Sequence, residues 1–185
     1  MTYLQQLSLE GLFYGDYDRI SPKWLIKKVE KIFGQKIGLD PCTNSDNPTN
    51  AQLFIPFEDD SLSYDWSEFN YIYLNPPKEN NLVFLQKFVD ALDICNKLET
   101  GIVVLHYHSK QVKAIARLIT ASTLICYPQK AIWEEKNFSD LIVFFDTNMN
   151  NYWREKRRHL FHLEFNQVGV IANKMTSQNK LKGIV

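Results

Sequence analysis

Apolar positions along the chain fall into two kinds of stretch. Compact apolar runs of strand length alternate with segments whose apolar residues recur at three- and four-residue spacing. Ser21 as N-cap, Pro22 at the first helical position, the stripe Leu25, Val29, Ile32 and Phe33, and Gly34 as a stop predict a helix ending near Phe33. Lys36 to Leu39 reads as a strand ending at Asp40-Pro41-Cys42, followed by a Thr43 to Asn50 loop rich in Asn, Ser, Thr, Asp and Pro. Gln52 to Phe57 is a second strand, with the acidic turn Glu58 to Leu62 beyond it. Tyr71 to Leu74 is a third, stopped by Asn75-Pro76-Pro77, since proline lacks the amide hydrogen a central ladder needs. Asn80 or Asn81 caps a helix bearing Leu82, Leu85, Phe88, Val89 and Leu92. Gly101 to Tyr107 is apolar almost throughout, as when both faces of a strand are covered. Ser109 caps a helix with Val112, Ile115, Leu118 and Ile119. Thr123 to Tyr127 and Asp140 to Asp146 are strands around a Pro128 to Asn137 loop, Asn150 to about Phe161 is amphipathic, and Val168 to Ile171 is a last short run.

This alternation predicts a three-layer α/β domain with a mostly parallel sheet. Right-handed crossovers then gather the strand ends on one rim, so Asp40, Asp60 and Asn75 are expected to face a common cleft. Residues 1–20 read as an N-terminal arm, 21–175 as the domain and 176–185 as a loose tail. At 185 residues, 45% hydrophobic and 14% aromatic, the chain can bury the core of one domain.

No apolar run approaches the roughly 18 residues of a membrane helix, and Met1 to Glu10 lacks the form of a signal peptide; a soluble cytoplasmic protein is expected. Cys42, Cys95 and Cys126 are too scattered for a disulfide framework or a zinc knuckle. His106 and His108 alternate onto one face, but without a nearby Cys, Asp or Glu to complete a ligand set, so no metal is expected. The formal net charge is zero but unevenly spread: residues 1–100 hold nine Lys/Arg against fifteen Asp/Glu, and residues 151–185 hold seven against two. The basic segment with Arg154, Lys156, Arg157, Arg158, Lys174, Lys180 and Lys182 could contact phosphates, or could be a solvated helix face and a frayed terminus.

Asn75 stands where chemistry is well placed, at the carboxyl end of a strand and stiffened by two prolines. Its side chain and the Pro76 carbonyl can present two fixed acceptors close together, which suits one amino group; a plain strand-ending turn uses the same residues.

The ordered signals Ser21-Pro22, Leu39-Asp40-Pro41-Cys42, Asp59-Asp60-Ser61-Leu62, Trp66 and Leu74-Asn75-Pro76-Pro77 resemble the small DNA N6-adenine methyltransferases (Dam-like) of phages and prophages, over about residues 14 to 172. The resemblance implies a single Rossmann-like methyltransferase domain with a C-terminal antiparallel hairpin around Ala131 to Asp146. It implies S-adenosylmethionine as cofactor and DNA as partner, with Asn75, Pro76 and Pro77 as the catalytic motif. Asp40 and Pro41 would lie at the methionine end of the cofactor and Asp60 at its adenosine. The target adenine would be flipped out of the helix; cytosine N4 or an RNA amino group fits the same acceptors.

The chain departs from the family pattern in three places. Lys78 stands where relatives carry the aromatic residue that stacks on the base, leaving Tyr14, Tyr17, Trp66 and Tyr107 as candidates for that contact. Ser61 replaces a glycine, and no glycine occurs between Gly38 and Gly101. These departures keep a second expectation open, a catalytically degenerate relative that binds DNA, cofactor or a protein.

Overall fold

The computed structural model describes residues 20–94, 98–133 and 138–173. Among the described residues four helices, α1 (Lys23–Phe33), α2 (Asn81–Ile94), α3 (Val112–Leu118) and α4 (Asn151–Phe165), flank one seven-stranded sheet. Its strands are β1 (Leu39–Thr43), β2 (Leu53–Pro56), β3 (Tyr71–Leu74), β4 (Thr100–His108), β5 (Leu124–Pro128), β6 (Phe138–Asp146) and β7 (Gly169–Asn173), in the spatial order β2-β1-β3-β4-β6-β5-β7. The pairs from β2 to β4 are parallel, and every pair from β4 to β7 is antiparallel. The expectation of a mostly parallel sheet therefore holds only for its first part. β6 enters beside β4 running the other way, over nine paired residues from Thr100↔Asp146 to His108↔Phe138.

Alternation along the strands divides the core into two layers. One face carries Ile72, Leu74, Val103, Leu105 and Tyr107 against Leu85, Phe88 and Ile115 of α2 and α3. The other carries Tyr73, Ile102, Val104, Ile142 and Phe144 against Leu25, Val29 and Ile32 of α1 and Phe161 and Phe165 of α4. Among the described residues, no helix is long and apolar enough to cross a membrane.

The local rules explain most boundaries. Gly34 closes α1 in the left-handed conformation, φ 72°, with its amide on the Glu30 carbonyl. Pro22 rather than Ser21 holds the N-cap place, its carbonyl accepting from Leu25 and Ile26, and Ser21 makes no cap bond. The β4 to α3 turn is capped by His108 in a box with Gln111, not by Ser109. The first strand is not Lys36 to Leu39: it begins at Leu39 and runs through Asp40, Pro41, Cys42 and Thr43, the ladder with β2 shifting register between Asp40 and Thr43, where Pro41 offers no amide.

Gly101 in β4 is required by packing. A Cβ there would lie 2.2 Å from Phe88 Cζ, whose ring is fully buried and set edge-on to Phe145. Gly101→Ala is expected to cost about 1–3 kcal/mol in urea unfolding, with partial recovery when Phe88→Leu is added.

Candidate active site

From β1 the chain moves to β2 on one side, whereas β3 is followed by β4 on the other. The β1/β3 boundary is thus the switch point, where an open α/β sheet leaves a crevice outside its strand ends. Asp40 and Asn75 line one cavity there, with Ile20, Ser21, Cys42, Asn44 and Thr49. Asn75 follows Leu74 in the strand alternation, so it shares the face of Tyr73, the side covered by α1 and α4.

Asn75 is held from below. Its Nδ2 donates to Ser21 Oγ at 3.1 Å, and Ser21 Oγ lies 2.6 Å from the hydroxyl of the fully buried Tyr73. With the amino end of the amide committed to Ser21, the carbonyl oxygen is the end that can accept from a substrate amino group. The following residues make the turn rigid: Pro76 is buried, and the Pro77 carbonyl accepts from the Asn80 amide at 3.1 Å just before α2 begins.

Asp40 is 1% exposed. One carboxylate oxygen accepts from the Cys42 amide at 3.2 Å and the other from Thr49 Oγ1 at 2.7 Å. Burial outweighs these bonds and pushes the carboxyl up to about 7. A carboxyl raised in the folded state binds its proton more tightly there than in the unfolded chain. Its contribution to stability is therefore full at low pH and is lost as pH rises from about 4 to about 7. Asn44 Oδ1, on the same cavity, is buried with no hydrogen-bond partner among the described residues. The cavity holds about 10 Å³, room for roughly one water. Asn47 and Asn50, with φ of 46° and 53°, bend the loop that closes it.

The other candidates are dispersed. Asp60 is exposed on the wall of a separate cavity of about 790 Å³, with Leu62, Leu82, Lys87 and Arg117 around it, so the common cleft expected for Asp40, Asp60 and Asn75 is two cavities. Trp66 is 1% exposed, donates from Nε1 to the Ser61 carbonyl and packs on Phe84. Tyr107 is buried in the same core layer, so both rings sit on the face of the sheet away from Asn75. Tyr14 and Tyr17 lie outside the described residues. Lys78 places Nζ 5.5 Å from the centre of the Phe138 ring and 3.9 Å from Glu79.

In the basic C-terminal segment, Arg157 is 5% exposed and bonded to Tyr71 and Glu99, near the amino ends of β3 and β4 and thus on the rim opposite Asn75. Arg154 and Arg158 bond Asn151 and Asn173. Lys174, Lys180 and Lys182 lie outside the described residues.

Beside Asn75 the structure brings in residues that sequence reasoning missed. His106 Nδ1 is 2.6 Å from Asp140 Oδ1, and Asp140 Oδ2 accepts from the amides of Ile132 and Trp133. The two histidines do share a face, but Asp140, their nearest acid, arrives from β6, 34 positions away. Among the described residues no group of three or more His, Cys, Asp or Glu could hold a metal ion. The one signal for Ser21 was its place before Pro22, which pointed to a cap.

Comparison with known proteins bears on the first half of the chain. No curated protein matches it. Among solved structures, protein LPL1258 from Legionella pneumophila str. Philadelphia 1, of family-model DUF519, is similar at 13% identity, with 73% of this chain and 60% of that chain covered and a TM-score of 0.37. The family model that matches is described as DNA N-6-adenine-methyltransferase (Dam), over residues 16–107, a stretch containing Asp40, Asp60, Trp66 and Asn75. Over those residues the chain is similar to the DNA N-6-adenine-methyltransferase (Dam) family.

Proposed function

We propose that this chain transfers a methyl group from S-adenosylmethionine to the exocyclic amino group of adenine in DNA. The observation that carries the proposal is Asn75 at the switch point, its amide nitrogen bonded to Ser21 Oγ, which in turn lies against the buried Tyr73 hydroxyl. The adenine amino lone pair is delocalised into the ring and is a poor nucleophile. Two acceptors, Asn75 Oδ1 and the Pro76 carbonyl, hold its hydrogens and favour the pyramidal nitrogen whose lone pair can attack. No side-chain nucleophile is needed. The sheet order around β1 and β3 supports a Rossmann-like methyltransferase fold, and the target base must leave the duplex to reach a crevice at the sheet rim.

At the Asp40 end the residues present suit the charged end of the cofactor. Asp40 and the unpartnered Asn44 Oδ1 are acceptors suited to the ammonium end, Pro41 sets the backbone beside them, and Asp60 can accept from the adenosine end. When bound, S-adenosylmethionine supplies the methyl as a sulfonium. Entry of a molecule of that size requires the 43–50 loop to move outward from Asp40.

An ammonium beside Asp40 favours its ionised form, so binding displaces the proton that burial retains up to about pH 7. Affinity for S-adenosylmethionine is expected to rise about fivefold from pH 6 to pH 7, by a further factor of about two to pH 8, and to level off above that. In Asp40→Asn the same titration calorimetry is expected to show weaker binding with a flat pH profile.

The proposal is tested by transfer of labelled methyl from S-adenosylmethionine to unmethylated single- and double-stranded DNA, with identification of the methylated nucleoside. N6-methyladenine supports it. No transfer by folded protein rejects it.

A further inference from the structure

Given that methyltransferase reading, we infer that Phe138 is the platform on which the extruded base stacks, in place of an aromatic residue at position 78, and that Lys78 is its movable cover. Phe138 opens β6 and is half-buried. Its ring lies parallel to that of His106, with centroids 4.7 Å apart and 4° between planes. His106 is itself clamped: Nδ1 faces Asp140, the second oxygen of Asp140 is taken by two backbone amides, and the Trp133 ring stands edge-on at 6.0 Å. Trp133 Nε1 reaches the Ile20 carbonyl at 3.4 Å, next to the Ser21 that orients Asn75. The aromatic stack and the acceptor are therefore braced against the same short segment.

Register places them together. Leu74 pairs with Val103, so Asn75 aligns with Val104, and His106 is two residues further along the neighbouring strand on the same face. Strand spacing puts the Asn75 and His106 Cα atoms about 8 Å apart. Phe138 pairs with His108 and stacks on His106, the histidine of β4 that lies nearer Asn75 in register. A base stacked on Phe138 would direct its amino edge toward Asn75, and flipped bases are held by aromatic faces together with polar edge contacts. Trp66 and Tyr107 lie in the other core layer.

Lys78 completes the arrangement. Its Nζ lies 5.5 Å from the centre of the same ring. A base stacks on an aromatic ring more strongly than a hydrated ammonium sits over one, and the long lysine stem lets the charge swing to the phosphate of the extruded nucleotide. The asparagine-led turn thus supplies acceptor and charge, and β6 supplies the ring.

The test uses a single-stranded oligonucleotide with one 2-aminopurine flanked by thymines, and wild type, Phe138→Leu, Phe138→Tyr and His106→Gln proteins with melting curves alongside. Wild type and Phe138→Tyr are expected to change the 2-aminopurine emission on binding. Phe138→Leu is expected to leave it at the free-oligonucleotide level while its affinity for the strand stays within about threefold, because phosphate contacts are retained. His106→Gln is expected to give an intermediate change. Wild-type emission in folded Phe138→Leu, or no emission change with wild type, would overturn the assignment. Methyl transfer measured on the same samples reports separately on the reading beneath it. Where transfer occurs, Phe138→Leu is expected to lower kcat at least tenfold with KM little changed, because fewer bound strands hold the base in place, and Phe138→Tyr to restore it.

Discussion

Alanine at position 75 is expected to lower kcat for methyl transfer by about 100- to 1000-fold, the range seen when one preorganised polar contact to the reacting group is removed. Folding should be little changed, since Asn75 ends β3 rather than packing within the core. Three variants separate the acceptor from its support. Asn75→Asp keeps an acceptor oxygen and is expected to retain more activity than Asn75→Ala, with the Ser21 hydroxyl able to donate to it. Ser21→Ala leaves Asn75 in place but removes the group that holds its amide nitrogen, so a loss of about tenfold is expected. Tyr73→Phe acts one bond further away and should cost less. Steady-state transfer to unmethylated DNA measures all four; an Asn75→Ala enzyme within threefold of wild type would remove Asn75 from the mechanism.

Replacing Arg157 by alanine is expected to destabilise the fold by about 3–5 kcal/mol. The guanidinium joins three partners: Nη2 lies 3.0 Å from both the Tyr71 hydroxyl and Glu99 Oε2, and Nη1 lies 3.6 Å from Asp146 Oδ1. The Asp146 side chain has no exposed surface, and burial already pushes its carboxyl upward against the pull of Asn148 and Arg157. Without the arginine, that carboxylate is a buried charge that has lost its paired cation, with only the more distant Arg154 acting on it. Adding Asp146→Asn to Arg157→Ala should recover part of the loss in urea unfolding, which a packing defect alone would not show. Arg154→Ala and Lys156→Ala, on the outer part of the same helix, should change stability by less than about 0.5 kcal/mol.

The contrast among these arginines shows where sequence reasoning reaches its limit. The helix from Asn151 was legible from its amphipathic spacing, but nothing in that spacing says that Arg157 turns inward toward Tyr71 and Glu99, 86 and 58 positions earlier. Asn75-Pro76-Pro77 was legible because a strand of aromatic and aliphatic residues ends there on residues that cannot extend it. Asp40 was legible as a polar residue near a strand end, but Pro41 misplaced the boundary, because a register shift lets the strand carry a proline. Ser21 read as a helix cap and is instead part of the site. The antiparallel pairing of β6 with β5 was implied by the family resemblance, but the place of β6 beside β4 was not legible, since an apolar run buried on both faces looks alike in parallel and antiparallel pairing. His106 and Asp140 remained apart in sequence reasoning for that reason.

The place of β6 between β4 and β5 also sets the order in which the sheet can be completed during synthesis. β5 leaves the ribosome before β6 does, yet apart from β7, made later still, its only neighbour is β6. Until residues 138–146 have been made, the far edge of β4 and the whole of β5 are apolar strands with unpaired backbone. The nascent chain passes through a stage in which the sheet is open along its most hydrophobic seam, and one strand closes it.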